Sequence, residues 1–190
     1  MLKPLLACLT LAAALPAAAL SQSPAPAAPG QWTVSASDNG CIAYSSFPQG
    51  TVVSLLAGRG QDELIFMIQN KGWSTLEDGG EYPLALQLDE NNAFLFEAVA
   101  KTELDSDGPG LLFTVSPGDQ KGAKFLAAFA GSAGMNVGQN GRALASLRLT
   151  GGGSAMTQLA QCMATMWGGG SPETDGNPAL SATSATAKPL

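Results

Sequence analysis

Apolar and polar residues alternate in short stretches along most of the chain, with turn-forming residues between them, and that pattern predicts a small antiparallel β system. Residues 32–36 form the first run, and Ser37, Asp38, Asn39 and Gly40 turn the chain into residues 41–47. Pro48, Gln49 and Gly50 turn it again into residues 51–57. Over residues 63–69, Leu64, Phe66 and Ile68 alternate with Ile65, Met67 and Gln69. Both faces of that strand are partly apolar, which places it at the centre of a sheet. Leu84, Leu86 and Leu88 mark one face of residues 82–88, and a turn leads to residues 93–100, so the pair reads as a hairpin. Residues 111–115 follow a Gly-Pro-Gly turn.

The period then changes. Asp119 can cap a helix in which Phe125, Leu126 and Phe129 recur at helical spacing, and Gly131 closes it. A last strand spans residues 142–149, and Ser154 is expected to cap a final helix running to about Trp167. On that helix Ala155, Leu159, Cys162, Met163 and Met166 share one face, which turns Cys162 toward the core. The expected fold is mostly β: a small antiparallel β-sandwich or barrel-like domain with two short helices, with α+β as the alternative class.

The ends read differently. Met1 and Lys3 precede an apolar stretch, Pro16 interrupts it, and Ala17, Ala18 and Ala19 offer a small-residue cleavage site, so residues 1–19 read as a signal peptide. The apolar stretch falls short of the ~20 residues that span a bilayer, so no membrane span is expected in the mature chain. Residues 20–31 read as a Pro/Ala-rich lead-in, residues 32–167 as the β-rich domain, and residues 168–190 as a disordered tail. Of the three cysteines, Cys8 leaves with the leader. In an oxidising compartment, periplasmic or secreted, Cys41 and Cys162 then form one disulfide that pins the last helix onto the sheet.

The formal net charge is -6, and losing Lys3 makes the mature chain more acidic still. That balance argues against nucleic acid or an anionic membrane as partner. The chain has no histidine, which removes Ser-His-Asp and Cys-His catalysis and the commonest transition-metal ligand. Glu97 reads as the carboxylate most able to point inward, a candidate general acid, but no second carboxylate is spaced to pair with it. Asp105, Ser106, Asp107 and Gly108 imitate part of a calcium loop whose remaining ligands do not follow, so the run reads as an acidic turn. Gly151, Gly152, Gly153 and Ser154 imitate a phosphate loop without its lysine and read as a connection with a cap. Met156, Met163 and Met166 suggest a copper site, yet their spacing is that of a core face. Trp73 is a weak candidate for an exposed binding anchor, a lid over the core being the favoured reading. No catalytic residue, metal ligand or cofactor is assigned. The expected function is that of an exported envelope accessory or binding protein without catalytic activity, its partner an envelope protein or small ligand. The alternative is a hydrolase whose carboxylate or serine centre is assembled from distant strands.

The order of parts is a signal peptide, Trp32 near the mature start, Cys41, serial short strands and a final helix carrying Cys162. It resembles small exported proteins of proteobacteria and is loosely similar to the invasion-associated locus B group. The resemblance implies a β-rich exported protein with an accessory role in the envelope and no established catalytic activity. That group usually carries further mid-chain cysteines, whereas none lies between Cys41 and Cys162 here.

Overall fold

The computed structural model describes residues 30–90, 92–104 and 107–167. The expected leader, most of the lead-in, the tail, and Asp105 and Ser106 of the acidic turn lie outside the described residues. The chain opens as an antiparallel meander of β1 (Trp32–Ser37), β2 (Gly40–Ser46), β3 (Thr51–Gly58) and β4 (Leu64–Asn70). Next come β5 (Glu81–Gln87), β6 (Ala93–Lys101), β7 (Gly110–Val115), helix α1 (Gln120–Gly131), β8 (Met135–Gln139), β9 (Arg142–Leu147) and helix α2 (Gly152–Met166). All nine strands found among the described residues form one sheet in the order β1-β2-β3-β4-β7-β6-β5-β8-β9. β4 is central, as its two apolar faces require, and β5 and β6 form the expected hairpin.

One face of the sheet builds the core. Ala43, Leu55, Phe66 and Phe113 lie in one cross-strand row, and all are buried. Helix α1 packs onto that row. The Asp119 carboxylate accepts the Gly122 N–H at 2.6 Å and fixes where the helix starts. Phe125 then meets the rings of Phe66 and Phe96 edge-on, each at 5.0 Å between centroids. Phe129 reaches Trp32 of β1 at 5.7 Å, so the sheet curls around α1 and brings its two edges toward each other. At one end the flanking residues come near each other, where a Cβ on Gly30 would sit 3.5 Å from the Arg148 carbonyl oxygen. No backbone hydrogen bond joins β1 to β9 among the described residues, and the seam stays open.

Helix α2 lies on the same inner side, held by a Cys41–Cys162 disulfide with its Cα atoms 6.1 Å apart. Ala155 and Leu159 are buried, and Met156, Met163 and Met166 pack against the core. The fold is therefore mostly β with a disulfide to the last helix, as expected. No helix of the described residues is long and apolar enough to cross a membrane.

Two local expectations need correction. β8 has no counterpart in the expected strands, because between Gly131 and Gly138 the alternating apolar positions are only Ala133, Met135 and Val137, set among glycines. Ser154 does not cap α2. The helix starts earlier, with Gly151 at the cap in the left-handed region (φ 84), and the Ser154 hydroxyl accepts instead from the Gln158 side chain at 3.0 Å. Glycine is needed at this start because a Cβ at Gly153 would lie 2.9 Å from the Ala130 carbonyl of α1.

Candidate functional site

With both helices on the inner face, the outer face should read polar, since an antiparallel sheet with one solvated face alternates cleanly. Its β5, β8 and β9 portion follows that rule, turning Gln87, Asn136 and Ser146 outward. The β2, β3, β4, β7 portion does not. Ile42, Leu56 and Ile65 are direct cross-strand neighbours there. The next row runs Tyr44, Ser54, Met67, Leu112 and Val99 across five strands. Met67 and Ser54 are buried within this row, although they lie on the side of the sheet away from the core. Tyr44 and Val99, at its two ends, are each 38% exposed.

The strip has defined ends. Toward β7 the next outward residue of β4, Gln69, is covered by the preceding loop, its side-chain amide donating to the Gly108 carbonyl at 3.2 Å. At the other end the row of Ile42, Leu56 and Ile65 floors a cleft of about 500 Å3 rimmed by Ser37, Asn39, Arg59 and Gln61. With strands about 4.8 Å apart, the five-strand row runs roughly 20 Å and the three-strand row roughly 10 Å, a footprint of about 250 Å2 in which Ser54 and Met67 are buried. That is well below the ~800 Å2 per partner of a standard interface. Such a strip suits one apolar segment of a partner at the centre of a larger contact.

The residues singled out from sequence are scattered. Glu97 is exposed on the outer face between Leu95 and Val99, opposite Pro83 of β5, and does not point inward. Its strand sends Phe96, Ala98 and Ala100 to the core, and the period of two then forces Glu97 out. Trp73 is partly buried and packs against the core, its backbone N–H donating to the Asn70 carbonyl at 3.0 Å. It lies in the β4–β5 link, away from the strip. Gly152 and Gly153 serve the contact between α1 and α2, while Gly151 faces Trp32. Among the described residues no group of His, Cys, Asp and Glu side chains is placed to hold a metal ion. Sequence reasoning missed the strip as a surface, although its signal was present: β3 and β4 carry consecutive rather than alternating apolar residues. No protein-family model, curated protein or solved structure matches the chain.

Proposed function

We propose that this is an exported, non-catalytic accessory protein of the cell envelope that holds a partner protein against the outer face of β2, β3, β4 and β7. The apolar double row on that face carries the reading, because neither helix lies over it and its members line up strand by strand. The Cys41–Cys162 bond suits an oxidising compartment, which agrees with an exported protein. A photo-crosslinking side chain placed at Tyr44 in the producing cell is expected to give one discrete adduct. The same side chain at Gln87, on the polar half of the face, is expected to give none. The Tyr44 adduct should disappear when Leu112 and Val99 are both changed to Lys and persist in Glu97→Gln. Equal labelling from both positions, or loss with Glu97→Gln alone at unchanged thermal stability, would overturn the assignment.

A further inference from the structure

We propose that the open edge of β9 is a second docking site, which takes an extended acidic segment of a partner protein as an added strand. The sheet has two edges, and they are not equivalent. β1 is backed by α2, with Cys162 Sγ 3.9 Å from the Ser35 carbonyl oxygen. β9 pairs with β8 on one side; on the other no described strand pairs with it, although Gly30, ahead of β1, comes near its Arg148 end. Apart from the bulge at Leu144, its backbone groups on that side, unpaired among the described residues, form a template for a further strand.

Charge says which strand. Every Asp and Glu of the described residues lies before Gln120, so residues 120–167 contain none. Arg142 opens β9 and Arg148 directly follows it, both exposed and neither meeting a carboxylate among the described residues. Asp89 and Glu90 share a cleft with Ser146 beside β8, on the paired side of β9. Two copies of β9 paired antiparallel about Ala145 would set Arg142 of one against Arg148 of the other, and like charges directly opposite are unfavourable. The two guanidiniums thus disfavour a second copy and favour a short apolar segment flanked by acids.

The probe is a short peptide of alternating Val and Thr with two Asp residues at each end, added to the full mature chain, with a Lys-ended counterpart as control. The Asp-ended peptide is expected to slow amide exchange across β9 and to bind about tenfold more tightly than the Lys-ended one, with the difference shrinking in salt. In the double variant Arg142→Glu, Arg148→Glu the preference should reverse while the thermal midpoint stays the same. Equal binding of both peptides, or protection elsewhere than β9, would overturn the proposal. It also fails if β9 amides are already protected without peptide, whether in a concentration-dependent way that indicates a second copy or in a way abolished by deleting residues 20–29.

Discussion

Gly122 stands in the first turn of α1, where glycine ordinarily destabilises a helix by about 1 kcal/mol relative to alanine. Here the sign reverses. A Cβ at this position would run into the Ser116 carbonyl group, which is backbone and cannot rotate away. Gly122→Ala is therefore expected to lower stability by roughly 2 kcal/mol, read as a fall in the urea midpoint. A rise would show that the helix start has room to move. Asp119, three residues earlier, was legible from sequence because capping is a local event between a side chain and the next turn. The direction of Glu97 was not. Its strand carries apolar residues at both parities, and only the register against β5 and β7 decides which set faces α1.

At the scale of elements, α2 contacts β1, β2 and α1, and the covalent bond is what ties it to the sheet. The helical face bearing Cys162 could be read from its spacing, and so could the staple. The start of α2 could not, because the glycines that precede Ser154 answer to α1, a neighbour that no local pattern reveals. In the chain-entropy view, closing a span of 121 residues stabilises the fold by about 4 to 5 kcal/mol. Exchanging Cys41 and Cys162 together for Ser is expected to remove up to that amount while leaving the far-ultraviolet circular dichroism of a β-rich fold. Thiol titration of the unreduced, denatured protein should find no free sulfhydryl in the mature chain. Two free thiols per chain would contradict the staple, and retained stability in the double variant would show that packing of Leu159 and Ala155 suffices to hold α2.

Taken whole, the molecule is two local meanders, β1 to β4 and β5 to β7, joined along the β4–β7 pair, with β8 and β9 added beyond β5. The β5–β6 hairpin was visible in the sequence, but the β8–β9 pair was not, because β8 was not foreseen, and neither was the β4–β7 junction, which depends on strands brought together from far apart. The disulfide acts across this whole assembly. Cys41 lies near the start of β2 and Cys162 near the end of α2, so the bond bypasses almost everything between them. A pulling force applied to the two ends of the domain enters through β1, crosses the sulfur–sulfur bond and leaves by the last turn of α2. The chain between Cys41 and Cys162 cannot be drawn out while the bond holds. In single-molecule stretching the oxidised protein is expected to yield only the short length stored outside the bridge. After reduction the 121-residue span is released, adding about 400 Å at roughly 3.4 Å per residue. The bond thus makes most of this small domain inextensible to tension along the chain, whatever the strength of the sheet it encloses.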